Sequence, residues 1–359
     1  MIELSNFFTY LIIALAVGVL ITTLNQKRLP NIPFTRTIMY INIISIVLLT
    51  FVPIVQLAQM LHSQFSVPIK DAFINVITTF QVGHAWMIIV VISSLLFIIQ
   101  CVREKLPNKL AVWGQLTLWL CIAYFISLSS HSSAADGLLG ILSHFIHIVA
   151  FAIWIGPLLI VSWLTKPLND IRAFHRWFSP LALIAVSLIV LSGLILMNTL
   201  VPNYIESWSV SYGQYLLIKH LMFIPILMFG IRHIFLLKWN PLHLNEKQMQ
   251  LSFKLESLFA IVIFAISAWM TEQTPPHEVD VNTVHSPLFL LFQSTTGSEN
   301  NVVFNWSLTG SLLLAIGSLF LIWIGYQLIR KKKVMIPIIL MLITLIVIYT
   351  GLMLSVTFI

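Results

Sequence analysis

Charged residues are scarce in this sequence: Asp, Glu, Lys and Arg make up 9% of its 359 residues. Water-soluble domains carry about a quarter charged residues, whereas this chain is 59% hydrophobic with a mean hydropathy of +0.98. These values exclude a water-soluble fold and predict a protein of the lipid bilayer. Because ten membrane-spanning helices take roughly 200 positions, there is no room for a separate soluble catalytic domain.

Cysteine and catalytic motifs are also lacking. The two cysteines, Cys101 and Cys121, fall in or beside apolar segments and show neither disulfide nor metal-site spacing. The sequence contains no GxxxxGK[ST] phosphate loop, no HExxH motif and no Ser-His-Asp arrangement. These absences argue against an ATP-driven pump and a membrane hydrolase. We therefore predict that the chain is not an enzyme and that any transport is passive or ion-coupled.

Long apolar runs are abundant. They predict an all-α fold, a polytopic transmembrane helical bundle of about ten helices. The beginning of the chain, Met1-Ile2-Glu3, lacks the basic flank of a cleavable signal, so the first helix is expected to remain as an anchor. The predicted spans lie near residues 5–24, 37–61, 73–101, 110–128, 139–164, 179–201, 213–237, 253–271, 305–329 and 334–356.

The basic residues are distributed unevenly between the loops. One alternate set of loops holds 17 of the 19 lysine and arginine residues; the other holds only Lys70, and Lys219 lies inside a helix. The positive-inside rule makes the basic loops cytoplasmic and leaves both termini outside. Eight of the twelve acidic residues then face outward. The net charge of +7 is thus a topology signal, and no nucleic-acid partner is predicted.

The ionisable side chains within the predicted spans are mostly histidines, and such groups are functional candidates because burying them in hydrocarbon is costly. At a rise of 1.5 Å per residue, His84, His147 and His220 lie roughly 9–10 Å below the outer boundary of the hydrocarbon. His144 and His147 are three residues apart and project from one helix face. His84 and Met87 have the same spacing.

This combination of imidazole and thioether suits copper, whereas the carboxylates that magnesium or calcium require are absent at this depth. We therefore predict that His84, Met87, His144, His147 and His220 bind a copper ion in the outer leaflet. Histidines at equal depth on different helices can also hold b-type haem. A haem-binding electron-transfer or oxidase-assembly protein is therefore the alternative, and a metal sensor or scaffold without flux is a third hypothesis.

Further histidine and methionine residues lie along the predicted outer edge and are candidates to capture a cation among the outer acids. Alternatively, they are apolar filler and solvated loop residues. This candidate capture set is Met60, His62, His131 and His277.

Three other charged residues lie in or beside the spans. Lys219 either gates or pairs with a bound ion, or extends its ammonium group to the lipid headgroups. Arg232 and Glu256 lie at the cytoplasmic ends of consecutive predicted helices, where we expect them to form a structural ion pair.

Three stretches of the chain resemble the membrane domain of the copper resistance protein D (CopD) family. They are residues 142–147 (LSHFIH) running on to 154–156 (WIG), residues 212–220 (YGQYLLIKH), and residues 256–276, which end in Pro-Pro. Their order and spacing also match the family. The resemblance covers about residues 84–276, a little over half of the chain.

The resemblance implies a multi-pass protein of the bacterial cytoplasmic membrane that moves copper across it, inward, for copper homeostasis or resistance. Because the family often works with the copper-binding β-sandwich CopC, a separate CopC-like protein is an expected partner, besides copper and the lipid bilayer. One departure is Arg232-His233, where many members carry Asn-Arg. The expected division is two N-terminal transmembrane helices (1–72), a CopD-like domain (73–277), an external loop (278–304) and two C-terminal transmembrane helices (305–359).

Overall fold

The computed structural model describes residues 2–25, 32, 34–165, 171–239, 246–278, 285–293, 302–330 and 335–358. Ten helices in this part are long and apolar enough to cross a membrane, which confirms the predicted transmembrane helical bundle. The helices are α1 (Ile2–Leu24), α2 (Thr35–Phe65), α3 (Ile69–Thr79), α4 (Gln81–Val102), α5 (Asn108–Leu128), α6 (His131–Leu159), α7 (Ile171–Leu200), α8 (Ser211–Trp239), α9 (Glu246–Met270), α10 (Pro287–Leu290), α11 (Leu308–Arg330) and α12 (Met335–Met353).

The predicted third span, residues 73–101, was wrong as a single helix. The structure breaks it at Phe80, whose φ of −88° and ψ of 146° are extended, into the short helix α3 and the membrane-length helix α4. A Cβ atom on Gly83 would lie 2.1 Å from the Val76 carbonyl oxygen, so the first turn of α4 approaches α3 closely only because residue 83 is glycine. His84 consequently lies in the first turn of α4 rather than deep in a continuous helix.

The chain forms two compact units, Met1–Thr199 and Leu200–Ile359. In the first unit, α1 packs against α2, α5 and most extensively α6. The backbones of α1 and α6 meet at two glycines, where a Cβ on Gly18 would lie 2.3 Å from the Gly156 carbonyl carbon. Such contact between small residues is a common way for transmembrane helices to associate.

Helix α6 departs from regular geometry at both ends. Asp136 and Gly137 have non-helical dihedral angles, with φ of +49° at Gly137, and Pro157 lies near the other end. A π-helical turn, Ile160–Leu164, follows α6. Breaks of this kind free backbone groups and recur at functional sites in membrane helices.

In the second unit, α8 packs against α9, and α11 packs against α12. The second unit also contains two short antiparallel strands, β1 (Val302–Phe304) and β2 (Val356–Phe358). They cover an apolar cluster that includes Trp208, Phe289 and Met353.

Several sequence predictions concern residues outside the described part. These are Lys27, Arg28, Lys166, Asp280, Glu299 and residues 331–333, together with the side chains of His131, Arg172, Lys238 and Arg330. The predicted orientation and the division at residues 72, 277 and 304 therefore stay predictions.

Candidate metal centre

His84 contributes the first candidate ligand, from the first turn of α4. Its Nε2 lies 2.7 Å from the backbone oxygen of Thr78, and because a carbonyl can only accept, Nε2 carries the proton and Nδ1 carries the lone pair. The bond also satisfies a carbonyl at the end of α3. Met87 follows one turn later and is 40% exposed, so an imidazole and a thioether share one face of α4.

His144 lies in the middle of α6, and a residue of α1 orients its ring. Its Nε2 is 3.3 Å from the Tyr10 hydroxyl, and the two rings are 6.2 Å apart at 76°. Tyr10 and His144 are 134 positions apart in the sequence, so packing of α1 on α6 creates this contact.

His147 lies on the same face of α6 and is held by α7. Its Nδ1 is 3.1 Å from the Ser192 hydroxyl, which itself donates a 2.6 Å hydrogen bond to the Leu188 carbonyl. Because the Ser192 hydroxyl donates its only proton to the Leu188 carbonyl, its oxygen accepts a hydrogen bond from His147 Nδ1. The hydrogen-bond network thus assigns the proton to Nδ1 and the lone pair to Nε2.

His220 belongs to the second unit, where it projects from α8. Its Nδ1 lies 2.7 Å from the hydroxyl of Tyr204, which precedes the helix. Burial raises the pKa of Tyr204 to about 12, so the phenol keeps its proton at neutral pH. The neighbouring Lys219 has no carboxylate within ion-pair distance among the residues that the structure describes.

The four histidines share one geometric feature: an oxygen atom fixes one nitrogen of each ring. Metal-binding histidines are held in the same way, since the second nitrogen sets the orientation and tautomer of the ring. Three of them belong to the first unit and one to the second. In the described ranges, no group of three or more His, Cys, Asp or Glu side chains is placed to hold a metal ion. The copper site at His84, Met87, His144, His147 and His220 therefore stays a prediction.

Two histidines of the candidate capture set also have ordered partners. His62 Nδ1 is 2.8 Å from the Val67 oxygen, beyond the end of α2. His277 contacts the Leu200 oxygen at 3.2 Å and Glu278 at 3.4 Å. Met60 is 40% exposed, and His131 begins α6 with its side chain outside the described part. Their capture role stays a prediction.

The opposite end of α8 carries a buried polar network that joins Arg232 to Glu256. Arg232 Nη1 donates to the Ser252 hydroxyl at 3.0 Å, and its Nε donates to the Leu328 oxygen at 3.0 Å. His233 Nε2 lies 2.8 Å from the same hydroxyl, and its Nδ1 lies 3.3 Å from Glu256. Arg232 and Glu256 thus do not form the expected direct ion pair among the described contacts; Ser252 and His233 link the two side chains instead. Each charge is desolvated but hydrogen-bonded, as buried charges must be.

Sequence reasoning did not find the residues that orient these groups. Ser252 had a usable signal, because it lies four positions before the predicted Glu256 and shares its face of α9. Tyr10, Ser192 and Tyr204 had none, since each lies in a segment remote from the histidine that it contacts or in a loop.

Replacing Tyr204 with phenylalanine is expected to weaken copper binding by His220 about 10- to 100-fold, the usual cost of losing the partner that orients a metal-binding histidine. Titration of the purified protein with copper against a competing chelator measures this. The control is Tyr215→Phe, which removes a tyrosine hydroxyl from α8. The hydroxyl bonded to His220 belongs to Tyr204, so this control should leave the copper affinity unchanged. Equal affinities for the two variants would remove His220 from the ligand set.

Comparison with known proteins gives two family matches. The model described as Copper resistance protein D matches residues 172–270, and the model described as Copper resistance protein D-like, N-terminal domain matches residues 1–141. A curated relative, Copper transport protein CutJ of Bacillus subtilis (strain 168), is 25% identical over 207 residues. The aligned region is 54% of this chain but only 37% of the relative, so the chain spans well under half of that protein's length. No solved structure matches the chain.

The two matched segments together make up about two thirds of the chain. They extend the resemblance seen in the sequence to the first residue, with His84 in one segment, His220 in the other, and His144 and His147 between them. Together with the ten candidate spans, they support a multi-pass membrane protein whose matching family models are both described by copper resistance. The chain belongs to the copper resistance protein D family.

Proposed function

We propose that this protein carries copper across the bacterial cytoplasmic membrane, inward, and so contributes to copper homeostasis or resistance. The observation that carries the proposal is the histidine pair of α6. His144 and His147 are half-buried on one face of an interrupted helix, and hydroxyl groups from two different helices orient their rings.

The donor set favours copper over other cations. A neutral imidazole held through one nitrogen presents the lone pair of the other, and thioether sulfur selects the softer Cu(I). His84 and Met87 would supply this combination on α4, and His144 and His147 would supply a second imidazole pair on α6. His220, with Lys219 beside it, would act in the second unit. Magnesium and calcium prefer oxygen ligands, which none of these side chains provides.

Inward movement is supported by the distribution of charge. With the basic loops inside, eight of twelve acidic residues face outward, and such a field raises the local concentration of cations. Met60, His62, His131 and His277 would take the ion from this outer surface. A separate CopC-like protein would deliver it. The proposal is for a transporter with copper as its cargo, not for an enzyme.

Uptake into proteoliposomes tests this function directly. The full chain is reconstituted with a fluorescent copper chelator inside, and Cu(I), Cu(II) or Zn(II) is added outside at equal concentration. We expect uptake with copper that exceeds both the zinc rate and the rate of empty vesicles. The absorption spectrum of the same preparation is recorded between 350 and about 600 nm, the range of haem absorption.

Two outcomes would contradict the proposal. Copper that binds at stoichiometric amounts without entering the vesicles would indicate a sensor or scaffold. A strong Soret band in the purified protein would instead indicate that the histidines hold haem.

A further inference from the structure

The first unit contains a cavity of about 340 Å³ at the opposite end of α4 from His84. Arg103 lies beyond the far end of α4, about 28 Å from His84 at 1.5 Å per residue. The volume is within the range of small-molecule sites, about 300–1,000 Å³. The cavity is lined by Thr23, Ile32, Thr35, Arg36, Arg103, Glu104, Leu106 and Asn108.

The cavity carries an excess of positive charge. Arg36 forms a 2.7 Å ion pair with Glu104, and both side chains are exposed, at 52% and 77%. Arg103 is half-buried and close enough to Arg36 for their charges to repel. Within the described ranges, no carboxylate lies within ion-pair distance of Arg103. The lining thus contains two guanidinium groups and one carboxylate, and the charge of Arg103 has no counter-ion among the described residues.

The other lining groups complement an amphipathic anion. Asn108 adds an exposed amide whose hydrogen-bonding groups have no partner among the described residues. Ile32 and Leu106 form an apolar wall. The starts of α2 and α5 have no side-chain cap, so their backbone N–H groups add partial positive charge. Guanidinium pairs bind phosphate through paired hydrogen bonds, and an apolar wall beside them suits a lipid.

We propose that this cavity binds a phosphate group, that of an anionic phospholipid such as phosphatidylglycerol. The positive-inside rule predicts that this end faces the cytoplasm, where anionic headgroups attract basic side chains. The cavity is lined by residues from α1, α2, the turn that follows α4, and α5, so a bound lipid would join these parts of the first unit. This site is separate from the proposed copper site and does not depend on the transport proposal.

Native mass spectrometry of the full chain in mild detergent tests the site with three probes: phosphatidylglycerol, phosphatidylcholine and inorganic phosphate. The double variant Arg36→Gln, Arg103→Gln is expected to bind phosphatidylglycerol at least about fivefold more weakly. Lys109→Gln removes a neighbouring charge outside the cavity lining and should change binding less than twofold. Glu104→Gln frees Arg36 from its ion pair and should strengthen binding.

The probes also distinguish the source of the phosphate. Arginine-dependent binding of phosphatidylglycerol alone supports the proposal as stated, whereas equal binding of inorganic phosphate would assign the site to a free anion and overturn the lipid. Equal losses in Lys109→Gln and in the double arginine variant would indicate general surface attraction and overturn the site. Should the double variant unfold, Arg36→Lys, Arg103→Lys keeps both charges and must retain at least partial, phosphatidylglycerol-selective binding.

Discussion

Replacing His84, His144 and His147 together with alanine is expected to abolish copper uptake and to remove the bound metal in the same step. The three imidazoles are oriented by Thr78, Tyr10 and Ser192, and their loss leaves only Met87 and His220 of the proposed ligands. Changing only the group that orients a metal-binding histidine costs about 10- to 100-fold in affinity. Removing three ligands should therefore weaken binding by at least about 100-fold.

Copper content of the purified protein and the rate of uptake into proteoliposomes measure this loss. His175→Ala is the control, because it removes a histidine of the first unit that lies on α7 beside Ser179, outside the proposed set. A triple variant that elutes as the native protein, keeps its copper and still transports would show that the site assignment is wrong. The transport proposal itself would survive that result.

Substituting alanine for Gly156 should strongly destabilise the first unit, although it adds only one methyl group. A Cβ at this position would lie 2.2 Å from the Ala14 backbone oxygen and 2.8 Å from Gly18. Backbone atoms cannot move aside as a flexible side chain can, so α1 and α6 must separate. Overpacking typically costs about 1–3 kcal/mol, and contact with backbone atoms puts this substitution at the upper end of that range. It should also disturb the contact between Tyr10 and His144.

The loss of stability is measured as a lower temperature of unfolding in detergent, with size-exclusion chromatography used to monitor the folded fraction after heating. Gly114→Ala is the control: it lies inside α5 and has no atom within 4 Å of the added methyl group. It should be neutral or stabilise the protein by up to about 1 kcal/mol, because alanine favours helix. If both alanine variants unfold at the same temperature, the close packing of α1 on α6 is contradicted.

Most of the helical architecture could be predicted from hydropathy, because a helix in lipid must satisfy its backbone internally and be apolar over its full length. Nine of the ten predicted spans correspond to single long helices of the structure. The exception, residues 73–101, is apolar enough overall to count as one span, although Thr78, Thr79, Gln81 and Gly83 surround Phe80, so average hydropathy did not mark the break. The approach of Gly83 to the backbone of α3 decides it, and this contact depends on folding.

The candidate site was only half predictable for the same reason. A histidine in an apolar run is visible in the sequence, and the three-residue spacing of His144 and His147 places both on one face of a helix. The partners of these rings are not visible, because Tyr10 lies 134 positions from His144 and Ser192 lies 45 positions from His147. The buried network around Arg232 likewise needed α8 and α9 to pack before His233 could contact Glu256.

The sequence by itself determined that this is a helical membrane protein with imidazole and thioether groups inside its spans, since hydrophobicity and residue chemistry are local properties of the chain. Tertiary structure alone decided which nitrogen of each histidine is held, where the third span breaks and how two arginines come to line one cavity. Each of these depends on atoms from separate helices meeting within a few ångströms, and only packing brings them together.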